Sequence, residues 1–418
     1  MWMRQFRAAA AALLVTFAST AVAQATSEAA GIAESRWNAG QLADAEKDLE
    51  ALLKKNERDD VARFAIGVTR LFRAIERVTQ SMQRYGLRPG EAFGVLNMLG
   101  APIPTTATPT RPPEPIRYED LRKVVETFLA DIEGVDRILA EIKDENVKLP
   151  LKIGLVRLDF DGDGTATVDE AFWMIYSRLN REVQDLDQAT VEQFVIMLDR
   201  GDVEWLRGYS NVLCALSEFV LAMDFRELFE RTAHLFFANP QTPYPFLRNS
   251  TGRDEFFENI LDLIAYIHLI NFEVDSKRLS SALHRFEAMT RHSREMWKFV
   301  LAETDDDREW IPSPKQKAGV LGVQFTEEMV KGWMEFLTEL DEILAGKKRV
   351  PFWRKGEDRG VNLRKAFTES KRFDLVMWVQ GTGAAPFLES GPKTESATWD
   401  RFMRIFQGDF IGFAIWVN

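Results

Sequence analysis

The segment Asp159-Phe160-Asp161-Gly162-Asp163-Gly164-Thr165-Ala166-Thr167-Val168-Asp169-Glu170 sets three carboxylates at alternate positions, follows them with a glycine and ends on Glu170. Three like charges within five residues repel one another along a regular element, and Gly164 permits the bend that would turn them toward a common centre. Any fold of this chain must therefore break here into a loop. Its flanks read as helical. Pro150 is placed to open a short helix with Leu151, Leu155 and Leu158 on one side, and Val168 to Leu179 forms a second with Phe172, Ile175 and Leu179 inward. A helix-loop-helix unit over residues 150–180 is the expectation.

The loop fits the pattern D-x-[DN]-x-[DN]-G-x5-E at every specified position and resembles the calcium loop of the EF-hand family. The resemblance implies Ca2+, a large hard cation that takes six to eight oxygens without rigid angular demands. Asp159, Asp161 and Asp163 would each give a carboxylate, Thr165 its backbone carbonyl, Thr167 a hydroxyl or a bridging water, and Glu170 both oxygens of its side chain. The family usually pairs its loops, and no second loop with comparable ligands is present in the sequence. Position eight, commonly a bulky aliphatic, is Ala166. A site that is solitary, or paired with a loop that has lost its ligands, favours modest affinity and a structural role, with a dissociation constant of about 10⁻⁴–10⁻³ M. An oxygen-only shell would also accept a lanthanide. The same residues admit a metal-free reading, a turn in which Thr167 and Glu170 form a capping box.

The first residues carry Arg4 and Arg7, then an apolar block from Ala8 to Ala18, then Ala21-Val22-Ala23 before Gln24. This is the layout of a cleavable secretory signal, which predicts cleavage near Ala23-Gln24 and a periplasmic or secreted protein. No cysteine follows the cleavage site to accept a lipid, and no later run offers the roughly 18 apolar residues of a membrane span. Without the leader, 53 basic residues fall to 51 against 64 acidic ones, a net charge of −13. Such a balance argues against non-specific nucleic-acid binding. The single cysteine, Cys214, lies in an apolar run and reads as a buried thiol, so no internal disulfide framework is expected.

Residues 31–85 read as a run of helices. The stretch from Trp37 through Gly40, Leu42, Ala45, Leu49 and Leu52 resembles the turn and second helix of a tetratricopeptide repeat, with Ala33 and Gly67 at the close-contact positions of successive first helices. Glu57 stands where that family usually has proline. Arg70, Arg73, Arg77 and Arg84 fall along one side of the next helix, either a docking face for an acidic protein partner or a solvated stripe paired with neighbouring acids.

A proline- and threonine-rich stretch at 101–116 cannot continue a helix and marks a linker. Beyond it, Leu121, Val124, Val125, Phe128, Leu129, Ile132 and Val135 recur at helical spacing, giving a helix to about Ile142. Further helices are expected near 191–200, 203–223, 225–237, 255–272, 277–301 and 325–345. Phe373–Val379 and Phe410–Val417, rich in β-branched and aromatic residues, read as two strands around a helix at 398–407. The fold class is mainly α. Its expected parts are a signal peptide (1–23), a tetratricopeptide-like region (24–100), the linker (101–116), a helical body with the EF-hand (117–350) and a small α/β region with a two-stranded element (351–418).

No motif identifies a reaction. Gln380-Gly381-Thr382-Gly383 begins like a dinucleotide fingerprint but reaches Pro386 where a third glycine should stand. His284 and His292 share a predicted helix with Glu287 and Glu295, and Asp305, Asp306, Asp307 and Glu309 follow its end. That set is the candidate site of an enzyme. The acidic turn Glu303–Glu309 reads on its own as a solvated helix end or a weak calcium turn. Two functions are therefore carried forward: a calcium-stabilised protein-binding scaffold, and an exported enzyme with its site near His284–Glu309.

Overall fold

Three helices open the described part of the chain, each placed by a capping side chain or a turn. The structure, a computed structural model, describes residues 27–88, 112–179, 188–248 and 255–417, apart from 318, 321, 323, 355 and 409. The expected signal segment and residues 101–111 of the expected linker lie outside the described residues. Ser27 Oγ accepts from Ala30 N to cap α1 (Glu28–Asn38). Gly40 then reverses the chain at φ +69°, a left-handed conformation open to glycine at little cost, and α2 (Leu42–Lys55) follows. Asp59 accepts from Ala62 N at 2.8 Å and starts α3 (Asp60–Arg84). Fully buried Trp37 donates from Nε1 to Thr69 Oγ1 at 2.8 Å, so the indole is both packed and satisfied.

α4 (Tyr118–Leu139) buries Leu129, Ile132, Val135 and Leu139 at the expected helical spacing. Next come β1 (Leu149–Leu151), a single 3-10 turn at Ile153–Leu155, the acidic loop, a second 3-10 turn at Val168–Glu170, α5 (Phe172–Leu179), α6 (Gln188–Gln193) and β2 (Ile196–Leu198). β1 and β2 pair antiparallel, Leu149 opposite Leu198 and Leu151 opposite Ile196. Trp37, Leu49, Phe64 and Phe72 from the first helices share one core with Val135, Leu139, Leu149, Leu158, Phe160, Ile196 and Val203. Residues on both sides of the proline-rich stretch are thus packed together.

The rest of the body is built on two long helices that run against each other, α7 (Arg200–Ala222) and α10 (Ser276–Ala302), with α8 (Arg226–Phe236), α9 (Glu255–Leu269) and β3 (Asn271–Glu273) between them in sequence. Cys214 on α7 is fully buried, and that burial pushes its thiol up to about 12. After α11 (Glu327–Leu344) the chain forms β4 (Val350–Pro351), β5 (Gly360–Val361), α12 (Leu363–Glu369), β6 (Arg372–Asp374), α13 (Leu375–Gln380), β7 (Leu388–Glu389), α14 (Ser396–Ile405) and α15 (Phe410–Val417). The molecule is mainly helical, with small antiparallel sheets. No helix among the described residues is long and apolar enough to cross a membrane.

Five local expectations are corrected. The helix expected near 191–200 stops at Gln193, and Ile196–Leu198 pairs with β1 as a strand. The exit helix expected from Val168 starts at Phe172, after a separate 3-10 turn and an extended Ala171. The limb entering the acidic loop is not a helix opened by Pro150. Val156, Leu158 and Phe160 are buried alternately with Arg157 and Asp159 half-buried between them, the period of two that belongs to extended chain. Phe410–Val417 is a helix, because Phe406, Phe410, Phe413 and Val417 recur every three or four residues and turn together onto Trp333 and Phe336 of α11. Phe373–Val379 splits. Arg372–Asp374 pairs with Asn271–Glu273, and Asp374 then accepts from Met377 N at 3.0 Å and starts α13 in the middle of the apolar run. The expected pair of C-terminal strands is replaced by β6 on β3 and by the sheet order β4-β5-β7.

Candidate metal centre

The extended run Val156–Phe160 carries the chain into the loop, and Phe172 N donates to Val156 O at 3.0 Å beside the bridge between Arg157 and Ala171. That closes the neck. Between its ends, Gly162 and Gly164 adopt φ +73° and +97°, so the backbone curls inward where the three aspartates stand. Asp159 accepts from Gly162 N on one oxygen (2.8 Å) and from Gly164 N on the other (3.0 Å). Glu170 reaches back across the loop. Its Oε1 accepts from Phe160 N at 2.8 Å, and its Oε2 accepts from Thr167 N at 2.9 Å and Thr167 Oγ1 at 3.1 Å. Glu170, the side chain that completes the capping box, is therefore also the one that faces Asp159 and Asp161 across the loop.

One carboxylate oxygen from each of Asp159, Asp161 and Glu170 lies within 4.8 Å of the other two. Oxygens at about 2.4 Å from one calcium ion are at most twice that distance apart, and the trio meets this limit. Asp161 is pushed above the usual carboxylate range by burial and then by the negative charges of Asp163 and Asp159. A dication at the centre would relieve the repulsion. Of the other expected ligands, Asp163, Thr165 and Thr167 lie on the exposed arc of the loop; Asp163 Oδ1 accepts from Thr165 N at 2.7 Å.

The loop is fastened to the N-terminal helices. Asp159 N donates to Glu76 Oε1 at 2.9 Å and Gln80 Nε2 donates to Asp159 O at 2.7 Å, both from α3. Burial, with a further push from Asp159, raises the Glu76 carboxyl to about 7. Ala166 meets the turn at Gly40 so closely that a Cβ on Gly40 would come within 2.2 Å of the Ala166 Cβ. The small residue at position eight is what this approach requires. Sequence reasoning missed Glu76 and Gln80, because a helical pair four residues apart carries no local sign of a contact some 80 residues away.

The arginine stripe is largely paired within the molecule. Arg70 donates to Glu46 at 2.7 Å and Glu50 at 2.9 Å, Arg73 also binds Glu46, and Arg77 meets Asp131 at 2.8 Å. Arg84 reaches Glu114 at 3.8 Å and stays half-exposed.

The second set of sequence candidates divides. His284 is exposed and bonds Glu287 at 3.1 Å, and His292 bonds Glu204 at 2.7 Å. Burial alone would raise Glu204, but His292, Arg207 and Arg200 draw it down to about 2. Glu303 and Glu309 instead meet Asp199, which sequence reasoning did not single out, with oxygens again within 4.8 Å of one another. Asp199 caps α7 by accepting from Gly201 N at 2.7 Å, and buried Asp202 accepts from Asp199 N in return. Burial and the neighbouring acids Asp199 and Glu309 push Glu303 up to about 10. Burial, Asp199 and Asp305 push Glu309 up to about 7. Lys148 pairs with Asp305 and Asp307, while Glu295 pairs with Lys298.

Compared with protein-family models, curated proteins and solved structures, this chain matches none.

Proposed function

We propose that this is an exported, calcium-binding helical protein in which one ion, held by Asp159–Glu170, staples the N-terminal helices to the body, and that those helices bind a partner. The convergence of the Asp159, Asp161 and Glu170 oxygens within 4.8 Å carries the reading. A loop anchored through Glu76, Gln80 and Ala166 supports a structural role over a sensor's, because its anchors tie the ligand-bearing backbone to a packed helix and turn. Arg77 and Arg84, more exposed than Arg70 and Arg73, are the stripe residues best placed to meet a partner.

Calorimetric titration of the metal-free protein tests this. One calcium per chain is expected, together with a raised melting temperature; binding to the folded state alone stabilises by about 2.7 kcal/mol at a hundredfold excess over Kd. Glu170→Gln, which replaces the expected bidentate ligand with a neutral amide, should weaken both. No heat and no thermal shift up to about 10 mM calcium, ten times the weak end of the expected range, would reduce the loop to a capped turn.

A second reading, an exported enzyme, is favoured by the Asp199, Glu303 and Glu309 carboxyls, two of which hold protons near or above neutrality as a general acid must. Turnover of a pooled hydrolase substrate that disappears in Glu309→Gln but survives in Glu170→Gln would replace the first reading with this one.

A further inference from the structure

Between the C-terminal half of α3, the N-terminal half of α4 and the acidic loop lies a cleft of about 440 Å³. Val124 and Phe128 of α4 give it an apolar wall, Arg84 and Lys123 give it cationic groups, and Asp161 and Gly162 of the loop close one side. We infer that this cleft binds a small organic anion, a phosphate or carboxylate carried on an aromatic or aliphatic body, and that calcium in the neighbouring loop strengthens the binding. The second half of the inference rests on the calcium reading of the loop. The first half does not.

The charges in the cleft decide the sign of the ligand. Of its four lining acids, Asp120 is held by Arg117 through contacts of 3.0 and 3.1 Å, Asp131 meets Arg77 at 2.8 Å through one oxygen while burial raises its carboxyl, Glu114 stands beside Arg84, and Asp161 belongs to the loop. Its other cations are less engaged. Arg84 meets Glu114 at 3.8 Å and Lys123 meets Glu126 at 3.9 Å, both beyond hydrogen-bond length, and Glu126 is shared with Arg122. The Arg84 guanidinium lies 4.6 Å from the Tyr85 ring centroid and donates to Tyr85 Oη, which positions it while leaving donors of its fork for a ligand. Lys123 is mostly exposed, with a freely turning ammonium. Val124 and Phe128 are half-buried and continuous with the apolar interior, so the body of a ligand would cover them while its charged end met Arg84 and Lys123.

Asp161 supplies the linkage. Without a cation it brings negative charge to the cleft and opposes an anion. With calcium bound, that charge is more than offset, and across a partly solvated surface the change should alter anion affinity on the order of tenfold.

The probe is phenyl phosphate, titrated calorimetrically into the full chain with saturating calcium and again after chelation, with inorganic phosphate as the comparison. One site is expected, with phenyl phosphate bound at least several-fold more tightly than inorganic phosphate, and with affinity falling on the order of tenfold on chelation. The double variant Arg84→Gln, Lys123→Gln, both at exposed positions, should lose binding at least tenfold while still taking up calcium. Glu170→Gln should bind phenyl phosphate as the chelated protein does, with or without calcium. Absence of phenyl phosphate binding in a wild-type protein that does bind calcium overturns the site, as does undiminished binding in the double variant. Equal affinity with and without calcium, in a protein that binds calcium, overturns the linkage. Should calcium itself give no heat, the calcium reading fails separately. The chelated arm then decides the cleft, on whether binding is present and is lost in the double variant.

Discussion

At the scale of single residues, the most informative are those held away from their ordinary chemistry. Glu303 keeps its proton to about pH 10 because burial, Asp199 and Glu309 all oppose its charge. An acid whose folded pKa lies above its unfolded value costs nothing below the unfolded pKa, near 4.5, and costs progressively more as pH rises above it. Glu303→Gln keeps a hydrogen-bond donor toward Asp199 and has no proton to hold. Its melting temperature should match the wild type near pH 4 and exceed it at pH 7, by an amount equivalent to about 1–3 kcal/mol. Thermal unfolding followed across pH 4–8 measures this, and a variant less stable than wild type at pH 7 contradicts it. Gly40 makes the opposite case. At φ +69°, with Ala166 where its Cβ would go, Gly40→Ala should cost about 1–3 kcal/mol in denaturant unfolding. It should also weaken calcium uptake, since the loop must shift to admit the methyl group.

Among the elements, the C-terminal helix shows how much of this fold rests on aromatic packing. Phe413 is 3% exposed, and its ring centroid lies 4.2 Å from that of Phe406 and 5.4 Å from that of Trp333. Phe413→Ala should destabilise the protein by about 3–5 kcal/mol, read from the denaturation midpoint at unchanged slope. A cost below about 1 kcal/mol would mean that α15 contributes little to the core. Most helices were legible from apolar periodicity, as α4 and α10 illustrate. The failures were short apolar runs. In 410–417, composition suggested a strand, and the three- and four-residue steps that meet Trp333 were the stronger signal. In 373–379, a cap at Asp374 divided one run between two elements.

At the scale of the whole molecule, the acidic loop touches the N-terminal helices at both Asp159 and Ala166, so calcium should act beyond its ligands. Hydrogen exchange should slow on calcium addition in the loop, in the turn around Gly40 and in α3 near Gln80, and remain unchanged in α14 and α15. Slowing confined to residues 159–170 would show that the staple does not hold. The amino-acid sequence by itself determined the acidic loop, the bend at Gly164 and the mainly helical class, because the spacing of acids, backbone freedom and apolar period are local properties. Tertiary structure alone decided three other features: Glu76 and Gln80 supporting the loop, Asp199 joining Glu303 and Glu309, and Arg70 and Arg73 turning to Glu46 and Glu50. The partners that meet in each set lie from about 20 to about 110 residues apart in sequence, and only chain packing brings them together. For charged and polar side chains, the nearest partner sets both pKa and availability.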